Sequence, residues 1–309
     1  MKMSINSMLL ISTLSVAVWG CAAADTVVGV DPANVKMVTA NVNANAIQIA
    51  GSADSEDPSK FDFFKDHSFE IKEEIKDAIA DATSMQNEID RVEKIAKKYS
   101  EFSSMAVTEE EKDVAAGLVR TVWDCELNTL CTRVAGISDA AKREKLLEDQ
   151  KNWNAVKEDV MKKSIGDSKN GEAVDPKLAS EFMEDTAHNR CVALAYEIAQ
   201  SREEKFKFPD RSAYGIFVDT QDSDTLSSIL ITRKGADNSN EAVISIHQMA
   251  LLEGTFKDKG NGELEFTGNR NNIKGIIKLN GWKDATLEIT QSNDKIYNAG
   301  LNYTFNFAF

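Results

Sequence analysis

The chain has 309 residues and a formal charge of −14, from 50 acidic and 36 basic side chains. That length accommodates two domains and a sizeable core. The acidity, with no basic stripe, excludes nucleic acid as a partner because a polyanion would be repelled; a basic protein fits the same charge, and so does acidity that only maintains solubility.

Residues 1–24 read as an export signal: Lys2, an apolar run from Met8 to Trp19, then Ala22, Ala23 and Ala24 before Asp25. The run is too short for a stop-transfer helix. Two processing routes compete. Cleavage after Ala24 uses an Ala-x-Ala site and yields a periplasmic or secreted protein. Val18, Trp19, Gly20 and Cys21 resemble a bacterial lipobox, in which Cys21 would be lipidated and hold the chain in the cell envelope. Trp19 fits that motif poorly.

Residues 25–60 are rich in Ala, Asn, Val, Ser and Asp without periodicity, and are expected to form a flexible tether. From Ser68 the pattern turns helical. Ile71, Ile75, Ala78, Ile79, Ala82, Met85, Ile89, Val92, Ala96 and Tyr99 keep a three-and-four spacing, which predicts one long amphipathic helix. Phe61, Phe63, Phe64 and Phe69 at its entrance are expected to cap the core. Thr108 followed by three glutamates is a helix start, and the helix it opens is expected to run through Trp123. After a turn at Gly136 to Ser138 comes the Trp153 helix. Asp175 and Pro176 then start a last helix from about Lys177 to Lys205. These four helices, within residues 61–208, predict an antiparallel bundle.

At Pro209 and Asp210 the hydrophobic period changes to two. Eight candidate strands follow within residues 209–309: 213–220, 226–234, 242–249, 252–257, 263–267, 273–279, 286–290 and 301–309. The fold class expected is α+β, with the helical bundle followed by a small antiparallel β sandwich or barrel. The alternation of Tyr303, Phe305, Phe307 and Phe309 resembles the last strand of an outer-membrane barrel. Most of the other candidates are too short and too charged to cross a bilayer.

The stretch from Trp123 to Met161 carries the most information. Val119, Val122, Trp123, Leu127 and Leu130 share a face with Glu126 among them, and Leu146, Gln150, Trp153, Lys157 and Val160 share the facing one. A buried carboxylate needs a partner, so Glu126 is expected to be satisfied by Gln150 or Lys157. Glu126, Gln150, Trp153 and Lys157 then form a structural latch between two helices, with no chemistry of their own.

Once the signal is removed, three cysteines remain. Cys125 and Cys131 are six apart, point to different sides of a helix and should not bridge each other. Cys191 lies on an apolar helix face. A disulfide from Cys191 to Cys125 or Cys131, with one thiol left over, and three buried thiols are both open.

No nucleophile elbow, P-loop, dinucleotide fingerprint or zinc-binding cysteine pair occurs, and His67, His188 and His247 lie in different elements. The sequence therefore assigns no catalytic residue, metal site or cofactor.

Asp124, Glu126, Leu127, Asn128 and Leu130, followed by Leu147, Gln150, Trp153, Lys157 and Glu158, resemble the core pattern of the LprI-type lysozyme-inhibitor family, small exported helical proteins of bacteria. The resemblance covers about residues 105–205, and Cys191 matches the family's late cysteine. Cys131 stands where the family has Tyr, and Met161 where it has the cysteine after the tryptophan helix, so the usual partner of Cys191 is missing. The resemblance implies export and, as for the family's namesake, direct binding of lysozyme, without catalytic residues. The expectation is an exported, non-enzymatic protein binder whose partner is a basic protein such as a lysozyme. The alternatives are an outer-membrane-associated protein anchored by its C-terminal β domain, and a secreted hydrolase. Membrane contact would come only through a lipid anchor or the C-terminal strand.

Overall fold

The computed structural model describes residues 61–165, 176–210, 212–220, 225–235, 237–247 and 251–309. The expected export signal with Cys21, the expected tether and residues 166–175 lie outside them. Six helices come first: α1 (Ser68–Ala80), α2 (Met85–Ser103), α3 (Glu109–Ala115), α4 (Leu118–Val134), α5 (Ala140–Ile165) and α6 (Pro176–Ser201). Nine strands follow: β1 (Gly215–Asp219), β2 (Ser228–Lys234), β3 (Asn240–Ser245), β4 (Leu252–Gly260), β5 (Glu263–Gly268), β6 (Lys274–Asn280), β7 (Asp284–Gln291), β8 (Asn302–Phe305) and β9 (Phe307–Ala308).

Two expected helices are each divided. The apolar period runs unbroken from Ile71 to Tyr99, yet the chain turns between Ala80 and Met85. There the Ser84 hydroxyl accepts from Asn87 N (3.2 Å) and the Glu204 carboxylate accepts from Met85 N (2.7 Å), which satisfies amides that begin a new helix. The Thr108 start is a full capping box with Glu111, but its helix ends within two turns. The Ser103 and Ser180 hydroxyls donate to the Ala115 and Ala116 carbonyls (2.9 and 2.6 Å), and α4 starts afresh after Gly117. Of the four phenylalanines at the entrance, Phe63 is buried and Phe61 stacks on Phe102 (4.4 Å), whereas Phe64 and Phe69 are exposed.

Among the described residues α4 touches every other helix. Its buried Val119, Val122, Trp123, Leu127 and Leu130 meet Ile71 and Ile75 of α1, Ile89 and Val92 of α2 and Val192, Ala195 and Ile198 of α6 in one apolar cluster. Burial of such side chains is the main force that holds short helices together.

The strands form one antiparallel sheet in the order β8-β7-β6-β5-β4-β3-β2-β1-β9. The two outermost strands are consecutive in sequence, separated only by Asn306. β8 pairs with β7, and β9 pairs with β1 through Phe217↔Ala308 and Val218↔Phe307. The single C-terminal strand expected from the alternation at 301–309 is thus kinked at Asn306, and it closes the sheet into a barrel rather than a sandwich. Inward residues alternate along each strand and fill the interior, among them Phe217, Leu230, Ile244, Phe256, Phe266, Ile277, Leu287 and Phe305.

The outward residues differ around the circumference. On β1–β3, Val218, Ile229, Ile231 and Val243 join the helical cluster. On β4–β7, Glu253, Lys257, Lys274, Lys278 and Glu288 are exposed to water. A linker with aromatic side chains fastens the two parts: Phe206 and Phe208 pack on Tyr196 of α6, and Phe208 stacks on Trp282 in the β6–β7 turn (5.6 Å).

Candidate functional site at the helix–barrel seam

Glu126 is fully buried on α4, but neither Gln150 nor Lys157 serves it. Its carboxylate faces Arg133, two turns further along the same helix (3.5 Å), and Glu88 of α2. Arg133 is already committed to Glu88 through both terminal guanidinium nitrogens. One cation thus stands against two buried carboxylates. Burial, then a hydrogen bond with Glu88 and repulsion from its charge, push Glu126 up to about 9, with Arg133 opposing. At neutral pH Glu126 holds a proton, and the cluster is a neutral-acid, carboxylate and guanidinium triad.

The other expected latch residues belong to a different joint. The Gln150 carbonyl oxygen accepts from Arg190 Nε of α6 (2.6 Å), and the Arg190 guanidinium lies 5.0 Å over the Phe307 ring of β9. Burial lowers Arg190 to about 10, opposed by Asp149 and other nearby negative groups. Trp153 stacks on Phe309 (5.4 Å), with the Lys157 ammonium 5.7 Å from its ring. Glu126 and the Gln150, Trp153 and Lys157 set are therefore two separate devices. The first joins α2 to α4, and the second joins α5 and α6 to the strand that closes the barrel. Arg133, Glu88 and Arg190 were missed from sequence, and Phe309 was read there only as part of the C-terminal alternation; of the four only Arg133, seven residues after Glu126, lay within reach of a helical-period argument.

No disulfide links Cys191 to Cys125 or Cys131 among the described residues. The Cys191 thiol instead donates to the Trp123 carbonyl oxygen (3.5 Å) from a fully buried position, where burial pushes its pKa well up. Two of the three histidines pack, whereas His247 is exposed with its Nδ1 3.3 Å from the Ser227 hydroxyl. His67 stacks on Phe61 (4.3 Å), and His188 lies against Trp123 (4.3 Å) with Glu93 at 3.5 Å. Burial lowers His188 despite Glu93. No cluster of His, Cys, Asp or Glu suited to a metal occurs among the described residues.

Two clefts flank β9 where helices meet barrel. One, of about 330 Å³, lies between α5 and the end of β1, with Trp153 and Phe307 as aromatic walls and Lys145 and Asp149 at its edge. The other, of about 410 Å³, lies between α6, the linker and the β6–β7 turn. Phe182, Phe309, Tyr214 and Trp282 line the second cleft, together with Asp185 and Asp210. Trp282 is fixed by its indole N–H donating to the Pro209 carbonyl (3.0 Å), and Tyr214 by its hydroxyl donating to Asn240 (2.8 Å). His188 is the only basic side chain among the described lining residues; Arg211, between the lining residues Asp210 and Ser212, lies outside the described residues. One turn of α6 is crowded with acid. Half-buried Glu184 is pushed up to about 7, first by burial and then by Asp185 and Glu181.

Comparisons of the chain with protein-family models, with curated proteins and with solved structures find no match.

Proposed function

We propose that the chain is an exported, non-enzymatic envelope protein that binds a basic protein such as a lysozyme, with an antiparallel helical bundle presenting the binding surface. The observation that carries this reading is the placement of charge. Residues 61–208 hold 32 acidic and 23 basic side chains, a net of −9, whereas residues 209–309 hold 13 and 10, a net of −3. Such asymmetry steers a cationic partner toward the helical side. The α4–α5 pattern that resembles the lysozyme-inhibitor family adds the candidate partner. Its residues stand at internal joints, so binding falls to the surface around them.

The barrel weighs against an anchor inserted in the outer membrane. Its interior is apolar and its exposed face on β4–β7 carries Glu253, Lys257, Lys278 and Glu288, the reverse of the polarity that lipid demands. The test is binding and inhibition of a lysozyme by the purified mature chain at low and moderate salt. Binding that weakens as salt rises is expected. Absence of both binding and inhibition at either salt removes this function.

A further inference from the structure

We propose that the end of the helical part where α1 begins and α2 ends is the face that docks the basic partner protein, with Phe64 and Phe69 as its apolar anchors. The inference rests on the protein-binding reading above and locates that binding at one surface.

The pairing of α1 with α2 creates this end. The Glu74 carboxylate accepts from Lys98 Nζ (2.8 Å) and from the Tyr99 hydroxyl (3.0 Å), so the two helices run antiparallel and the first turn of α1 stands beside the last turn of α2. Two of the local phenylalanines serve the core: Phe61 stacks on Phe102, and Phe63 is buried. Phe64 and Phe69 stay outside, 70 % and 72 % exposed, and Val107, between α2 and α3, is 80 % exposed. These are the three most exposed large apolar side chains among the described residues; all the others there are less than half exposed. Large apolar groups gathered at one end and left in water mark an interaction surface, whereas single ones do not.

The charge around them selects the partner. Residues 61–72 and 101–113 hold 8 acidic and 3 basic side chains, a net of −5, against −9 for the whole of residues 61–208. Lys60, immediately before them, leaves a net of −4. The rim also keeps its charge. Hydrogen bonds from Ser68, Lys65, Lys112 and the Thr108 backbone hold Asp66, Glu70, Glu109 and Glu111, respectively, below the usual carboxylate range. Apolar anchors within an acidic rim complement a protein that presents an apolar spot among lysines and arginines. A bilayer rich in anionic lipid, or the same end of a second copy, would be repelled by these carboxylates.

The experiment uses the full mature chain and two probes. The first is a helical peptide built of leucine and lysine, with a leucine–glutamate peptide as its control, and binding is followed by fluorescence anisotropy. The lysine peptide is expected to bind, and the glutamate peptide to bind at least tenfold more weakly. The double substitution Phe64→Ser with Phe69→Ser is expected to weaken the lysine peptide at least tenfold without lowering Tm, because both rings are exposed. Ile296→Ser, at an exposed apolar residue of the barrel, should leave the affinity unchanged. Equal binding of the two peptides, or indifference to the double substitution, overturns the proposal. So does binding to phosphatidylcholine vesicles, or self-association in sedimentation, that the double substitution abolishes while the lysine peptide fails to bind; the face then belongs to lipid or to a second copy.

The second probe, a lysozyme, separates this surface from the reading on which it rests. Lysozyme binding that is indifferent to the double substitution overturns the surface as the docking face and leaves protein binding standing. Lysine-peptide binding that needs both rings, without lysozyme binding, supports the surface and removes lysozyme as the partner.

Discussion

At the scale of single residues, the buried acid that the sequence singled out has a role other than the expected one. The apolar spacing correctly placed Glu126 inside the α4 face, because burial follows from helical period. Its partner did not follow, because period says nothing of which neighbouring helix will supply a cation. Arg133 neutralises Glu88, so Glu126 remains protonated near neutrality. The folded state therefore holds this proton more tightly than the unfolded chain, where a glutamate titrates near 4.5. The contribution to stability is greatest below that value, is lost as pH rises toward about 9, and is constant beyond. Glu126→Gln keeps the shape and a donor for Glu88 but has no proton to lose. The variant is expected to match the parent at pH 5 and to be more stable by ~1–3 kcal/mol at pH 8. Urea unfolding at the two pH values checks this; parallel loss of stability in both proteins would show that Glu126 is not the titrating group.

At the scale of elements, the strands were more legible than the helices. All eight candidate segments correspond to observed strands, because alternation with period two survives wherever one face is packed and the other is wet. The two divided helices were not legible. Their apolar stripes continue across the breaks, and the groups that settle them, Glu204 at the start of α2 and Ser180 at the end of α3, come from far along the chain.

Nor does the alternating pattern reveal how tightly the barrel strands approach. A Cβ on Gly254 would lie 2.2 Å from the Thr267 carbonyl oxygen and 2.6 Å from the Phe266 ring. The oxygen belongs to the paired strand, so it cannot withdraw without opening the β4–β5 ladder. Gly254→Ala is expected to cost ~1–3 kcal/mol, seen as a lower Tm. Thr255→Ala, one residue on and facing water, should stay within about 0.5 kcal/mol of the parent. A similar Tm for the two variants would mean that the strands separate more easily than their register implies.

At the scale of the whole molecule, β1–β3 are a wall shared by two cores. Their inward side chains Phe217, Leu230 and Ile244 belong to the barrel interior, and their outward Val218, Ile229, Ile231 and Val243 to the helical cluster. The sequence marked a boundary at Pro209 because the hydrophobic period changes there. It did not show that the boundary is bridged, because an outward strand residue looks the same whether it faces water or a helix. Phe309 makes the bridge specific: β9 pairs with β1, while the terminal ring, 2 % exposed, packs on Trp153 and near Phe182. Loss of the ring would leave a cavity on the helical side and loosen the strand that closes the barrel. Phe309→Ala is therefore expected to cost about 3–5 kcal/mol, and to cost it in both parts at once. Native-state hydrogen exchange distinguishes this from local damage. The slowest amides of α4, around Leu130, and of the barrel, around Ile277, should lose protection by the same amount, because both exchange through one cooperative opening. Loss confined to the helices, with the barrel amides unchanged, would mean that the two cores unfold independently despite the wall they share.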